Sequence, residues 1–183
     1  MSRAASVPGD ERLRLFLALR LPERVLEAVE RWQREQLRSV RVVPREHLHI
    51  TLAFLGHRPS GELDATVGAL REAAARAGEI RLTPVRYRET RGVGMLVLED
   101  EGGTAAELAD DLHERLEALG VYRREGRAWL PHLTVARWRE RPRLRLEPPP
   151  VGTFVPSDAA AYLSRLHPDG ARYEVLESVA LGG

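Results

Sequence analysis

The chain has 183 residues, 43% hydrophobic and 30% charged, with a formal net charge of +1; that fits one domain, or one made of two fused similar halves, with a genuine buried core. Cysteine is absent and every Lys/Arg-type charge is arginine, which excludes disulfides, thiolate metal sites, cysteine nucleophiles, lysine Schiff bases and phosphate-loop lysines. A near-zero net charge makes no global demand for a nucleic-acid partner, yet arginines gather at Arg31 to Arg45, Arg86 to Arg91 and Arg137 to Arg145, where a local basic rim and a solvated surface of Arg-Glu pairs are both open.

No apolar run follows a charged start and no stretch approaches the length of a membrane span, so a cytoplasmic protein without membrane contact is expected. Met1 to Asp10 is polar and reads as flexible. Arg12 to Arg20 alternates, with Leu13, Leu15, Leu17 and Leu19 on one side, and predicts a first strand. Pro22 opens an amphipathic helix carrying Val25, Leu26, Val29, Trp32, Gln33 and Leu37. Val40 to Val43 is a short extended piece stopped by Pro44, and His47 to Gly56 is the next strand.

After the turn at Pro59 to Gly61, Leu63, Val67, Leu70, Ala74 and Ala77 mark a second helix that ends at Gly78. Ile80 to Arg88 and Val93 to Leu98 read as a hairpin. Gly92-x-Gly94 leads into a strand, which makes it a poor dinucleotide loop. Thr104 and Glu107 suggest a capping box for a third helix with Leu108, Leu112, Leu116 and Leu119 on its buried stripe. On that helix His113 is expected to be structural and partly exposed. Trp129 to Trp138 is a second motif strand, Pro142 to Pro150 an irregular surface loop, and Ala159 to Leu166 with Tyr173 to Leu181 a closing hairpin. Strand, helix, motif strand thus occurs in both halves, and the hairpins point to an α+β fold.

The informative segment is HLHITLAFLG, His47 to Gly56, because PHLTVARW, Pro131 to Trp138, repeats it 83 residues later. His49-x-Thr51 is matched by His132-x-Thr134, and Phe54 and Arg137 each stand at the fifth position after their histidine. On a strand a histidine and the threonine two residues on share a face. A lone His-x-Thr is more often a structural histidine, but two copies in matched apolar contexts indicate repeated structure. Bringing them together gathers two imidazoles and two hydroxyls around one point.

Imidazole takes and gives protons near neutral pH. Two of them supply a base and an acid together, and threonine hydroxyls with the Arg137 guanidinium make a phosphoryl-binding set. In-line displacement at phosphorus needs groups on both sides of the centre, which a pseudo-two-fold pair of strands provides. Phe54 and Arg137 have the wrong parity for this face, so a bulge or strand end must re-aim them. His47 and His49 share a face that could ligate a metal with His132, but neither motif strand contributes an Asp or Glu, and no metal or other cofactor is expected. A non-catalytic RNA- or nucleotide-binding module is the reading from another class; it would not need two histidines.

These motifs, with Gly56, Pro131, Leu15 to Pro22, Leu163 to Leu166 and Tyr173, resemble the 2H phosphoesterase superfamily, in its RNA 2',3'-cyclic phosphodiesterase (2'-5' RNA ligase-like) branch. The resemblance spans nearly the whole chain. It implies a bilobal α+β arrangement in which two antiparallel sheets flank a central cleft, with helices outside. It implies His49 and His132 as the catalytic pair, Thr51 and Thr134 on non-bridging phosphate oxygens, Arg137 on the phosphate and Phe54 against a nucleobase. The implied substrate is RNA or a nucleotide ending in a 2',3'-cyclic phosphate, hydrolysed to a 2'-phosphomonoester by a monomer. His132 would be the base and His49 the acid. ATP-independent 2'-5' RNA ligation is the same chemistry in reverse.

Overall fold

The computed structural model describes residues 11–182, so the expectation of a flexible Met1 to Asp10 lies outside the described residues. In chain order the elements are β1 (Arg12–Arg20), α1 (Glu23–Gln36), β2 (Arg41–Val42), β3 (Ile50–Pro59), α2 (Leu63–Arg76), β4 (Leu82–Glu89), β5 (Val93–Asp100), α3 (Thr104–Ala118), β6 (His132–Arg137), β7 (Asp158–His167) and β8 (Gly170–Val179). The strands form two four-stranded sheets, ordered β3-β1-β7-β8 and β2-β6-β5-β4, with antiparallel pairing throughout. This is the α+β architecture expected from the hairpins and the mixed order of elements. Each His-x-Thr segment leads into a different sheet: β3 in the first, β6 in the second.

β1 shows why the first sheet is two-faced. Leu15, Leu17 and Leu19 enter the main core, while Phe16 and Ala18 pack on the other side with Ala160 and Tyr162. The period-2 alternation of a strand therefore divides one segment between core and cleft. The helices complete the core through Val25, Val29 and Trp32 of α1, Val67 and Leu70 of α2, and Leu108, Leu112 and Leu116 of α3. Among the described residues no helix is long and apolar enough to cross a membrane.

Three local expectations need correction. Thr104 does not cap α3: Gly102 and Gly103 both adopt positive φ, which turns the chain so that Asp100 accepts the Ala105 and Ala106 N–H groups at 3.0 and 2.8 Å. A carboxylate there also suits the helix dipole. His113 is buried, not partly exposed, and is structural as expected. Neither motif strand begins where alternation places it. β3 starts at Ile50 and β6 at His132, because each motif histidine bonds a carbonyl two residues upstream, and that local bond holds the approach out of the ladder.

The proline-rich segment after β6 is irregular, as expected, but tied down. Buried Glu89 accepts hydrogen bonds from Arg143 N (3.0 Å), Leu144 N (2.8 Å), Arg141 Nε (3.0 Å) and Tyr87 Oη (3.2 Å). Trp32 Nε1 donates to Glu147 O at 2.9 Å. Gly94 has a packing reason: a Cβ there would lie 2.7 Å from both the Trp138 ring and the Tyr87 hydroxyl.

Candidate active site

A cavity of about 800 Å³ lies between the two sheets and is lined by His49, Thr51, Phe54, His132, Thr134 and Arg137. The side chains singled out in the sequence therefore converge on one cleft. His47 lines it too, but sits in the 3-10 turn Arg45–His47, with its ring 4.3 Å from that of Tyr173.

The parity problem is solved by paired bulges. In β3, Thr51 faces Ala18 and Ala53 faces Leu17, so Leu52 is the extra residue. In β6, Thr134 faces Met95 and Ala136 faces Gly94, so Val135 is the extra residue. Each bulge falls three positions after its histidine, and each puts two consecutive residues, Leu52-Ala53 and Val135-Ala136, into the core. The extra residue flips the alternation. Phe54 and Arg137 thereby return to the cleft face.

A bulge leaves a backbone group out of the ladder, and inside a core that group needs another partner. Both are met by a helix side chain that motif reading alone does not flag. His113 Nε2, on α3, donates to Leu52 O at 2.7 Å. Gln33 Nε2, on α1, donates to Val135 O at 2.9 Å and to Val43 O at 3.0 Å. Trp129 Nε1 donates to Thr51 O at 3.0 Å, tying the approach to β6 onto β3.

The two imidazoles are held alike. His49 Nδ1 lies 2.7 Å from His47 O, and His132 Nδ1 lies 2.8 Å from Leu130 O. A carbonyl only accepts, so Nδ1 carries hydrogen in both rings and Nε2 is left for proton transfer. His49 Nε2 is 3.0 Å from Thr51 Oγ1, whose hydroxyl donates when the ring is neutral.

Their surroundings differ. The His49 ring lies 4.8 Å from Phe16, 5.7 Å from Tyr173 and 5.9 Å from Tyr162. Burial against these rings pushes its pKa down to about 4, the bond to the His47 carbonyl opposes that shift, and positive charge on His47, Arg137 and His132 adds to it. His47 is also lowered, by burial first and by Arg137, with Glu46 acting in the opposite sense. Among the described residues no three His, Asp or Glu side chains gather as a metal set.

Phe54 is 49% exposed, and the Arg14 guanidinium lies 4.8 Å above its ring centre while also donating to Ser164 Oγ at 2.8 Å. Arg14, Arg41, Tyr173 and Arg172 line the cleft without belonging to either motif. Tyr173 already belongs to the family resemblance; the three arginines arrive through sheet register, which a motif search does not see.

Residues 21–168 match the model of the 2'-5' RNA ligase superfamily. The chain is 35% identical over 187 aligned positions to the RNA 2',3'-cyclic phosphodiesterase of Thermus thermophilus, covering 93% of this chain and 91% of that protein. It is 26% identical over 175 positions to the protein of the same name from Methanocaldococcus jannaschii, covering 90% and 99%. The crystal structure of E. coli LigT in apo form superposes with a TM-score of 0.82 at 24% identity, covering 95% of this chain and all of that one, which shows a shared fold. With a family model matched over most of its length and these relatives along nearly all of it, the chain belongs to the 2'-5' RNA ligase superfamily.

Proposed function

We propose that the protein hydrolyses the 2',3'-cyclic phosphate at the end of an RNA or nucleotide to a 2'-phosphomonoester, using His49 and His132 as an acid-base pair without a metal. The observation that carries this reading is the repeated site. Two Nδ1-anchored histidines, two threonines and Arg137 of the second motif face a common cleft. The relatives named for this reaction support the substrate class.

On this reading the phosphate sits between the two Nε2 atoms, with Thr51, Thr134 and Arg137 on its non-bridging oxygens. His132 takes a proton from water as the water oxygen bonds to phosphorus. The P–O3' bond breaks on the far side, and His49 gives its proton to the departing oxygen. The products are a 2'-phosphate and a free 3'-hydroxyl, and the two rings then exchange protons with solvent. Resting His49 is neutral at pH 7 with a pKa of about 4, so its role as acid requires it to gain a proton as the anionic substrate binds. An anion placed beside Nε2 favours the charged ring. Displacing the Thr51 hydroxyl from Nε2 towards phosphate frees the same atom.

The deciding experiment is incubation with a nucleoside 2',3'-cyclic phosphate and with an oligonucleotide bearing that end, with products resolved by regiochemistry. A 2'-phosphate product supports the reading; no turnover of either substrate would refute it. Supplying an RNA 5'-hydroxyl in place of water tests the ligation for which the superfamily is named.

A further inference from the structure

We propose that Arg41 binds the phosphodiester on the 5' side of the terminal nucleotide, making one end of the cleft a second phosphate site that selects an RNA strand over a lone nucleotide. This rests on the function proposed above and adds a residue outside both motifs.

Arg41 and Arg137 are direct cross-strand partners on β2 and β6, so their side chains leave the same face as neighbours. Both line the cleft. Two guanidiniums side by side repel unless an anion lies between or across them. Twelve of the described arginines form ion pairs, for example Arg45 with Glu23 and Glu30, Arg58 with Glu62 and Arg141 with Glu89. Among the described residues Arg41 and Arg137 have no such partner. The Arg41 guanidinium lies against the β7-β8 turn, where a Cβ on Gly170 would come within 3.1 Å of Nη2, and Gly170 has a φ of +129°. The hairpin tip thus backs Arg41 at the cleft mouth.

Ribose stereochemistry gives the direction. The base on C1' and the 5' arm on C4' leave the sugar on opposite sides of the C2'–C3' edge that carries the cyclic phosphate. Phe54 lies beyond His49 along β3, opposite Phe16. Arg137 lies on the other sheet, close enough for its charge to lower both His47 and His49. With the cyclic phosphate between the histidines and the base at Phe54, the 5' arm runs towards Arg137 and then Arg41. The cavity, about 800 Å³, has room for this beyond a single nucleotide, since it falls high in the range of small-ligand pockets.

The test compares a nucleoside 2',3'-cyclic phosphate, which has no 5' phosphate, with a dinucleotide ending in the same cyclic phosphate. Arg41→Ala should lower kcat/KM for the dinucleotide roughly ten-fold relative to the mononucleotide, the scale of one charge-assisted contact. The dependence of log kcat/KM on log salt for the dinucleotide should become shallower by about 0.7, as for one lost contact to a single strand. Arg41→Lys should recover part of the selectivity, and Arg31→Ala, an exposed charge on α1 outside the cleft, should show no selective loss. Equal losses on both substrates, or an unchanged salt slope, would overturn the subsite while leaving the hydrolase reading intact. Wild-type protein that turns over neither substrate would refute the hydrolase reading and the subsite with it.

Discussion

Replacing Gln33 by methionine removes the amide that holds the β6 bulge while nearly preserving volume, and so separates what the bulge does for stability from what it does for the site. In the wild type Gln33 Nε2 serves two buried carbonyls, Val43 O and Val135 O. Val135 O also accepts from Val43 N at 2.9 Å, so the variant strands chiefly Val43 O. An unpaired buried carbonyl costs about 1–3 kcal/mol. With a urea slope of roughly 2 kcal/mol per molar, the unfolding midpoint should fall by about 1 M. Arg137 sits two residues past the bulge, and losing its aim at phosphate removes a hydrogen bond from a charged donor, about 1.5–3 kcal/mol. Folded Gln33→Met protein should therefore show kcat/KM on a 2',3'-cyclic phosphate lower by roughly ten- to a hundred-fold. Ile80→Ala, a buried truncation outside the cleft and both bulges, serves as control, with a stability loss of about 2–5 kcal/mol and normal kcat/KM in the folded fraction. Normal turnover by Gln33→Met alongside the expected loss of stability would show that Arg137 does not depend on this amide. An unchanged midpoint would refute the bond accounting itself.

His49→Ala and His132→Ala should each lower turnover by about a hundred- to ten-thousand-fold, the usual range for a lost general acid or base, with far-ultraviolet circular dichroism unchanged; near-normal rates in either would remove that histidine from the mechanism. Folding stability should decline as pH falls from 6.5 to 4, because His49 binds a proton in the unfolded chain over that window but not in the folded one with its pKa of about 4; the contribution reaches about 3 kcal/mol, and His49→Gln should flatten the decline in urea titrations at several pH values. Activity should survive exhaustive dialysis against a chelator, since the proposed proton transfers need only the two imidazoles, and a rate restored by zinc or manganese would instead favour ligation by His47 and His49. A phosphatase or chemistry that distinguishes 2'- from 3'-phosphate should find the 2' product predominating, and a largely 3' product would remove the orienting role given to Phe54.

The elements most visible in the sequence are those set by local periodicity. β1 spans Arg12–Arg20 as alternation requires, and α1 and α2 follow their apolar stripes. The motif residues were visible because the chain writes them twice. Long-range partners were not: His113 meets Leu52 O across 61 residues and Gln33 meets Val135 O across 102, and no local pattern encodes either pairing. The bulges did leave a trace. Parity demanded them, and the doublets Leu52-Ala53 and Val135-Ala136, apolar where a regular strand alternates, mark their positions.

The scaffold is close to two-fold in its backbone devices and unequal in the side chains laid on it. Both halves have the Nδ1 anchor two residues upstream, the threonine and the bulge three residues on. The bulge carbonyls are held by different chemistries, an imidazole and an amide. Only His49 is enclosed by Phe16, Tyr162 and Tyr173, and that burial lowers its pKa. Phe54, with the Arg14 guanidinium over its ring, comes from one sheet, and Arg137, with Arg41 beside it, from the other. A cyclic phosphate is itself nearly symmetric about phosphorus, with the 2' and 3' oxygens in equivalent positions. Direction must therefore come from the base and the 5' arm, the parts of the substrate that break that symmetry, and those are the parts that meet the unequal sides. On this reading the repeat supplies the in-line geometry, while the residues that depart from the repeat choose which bond breaks.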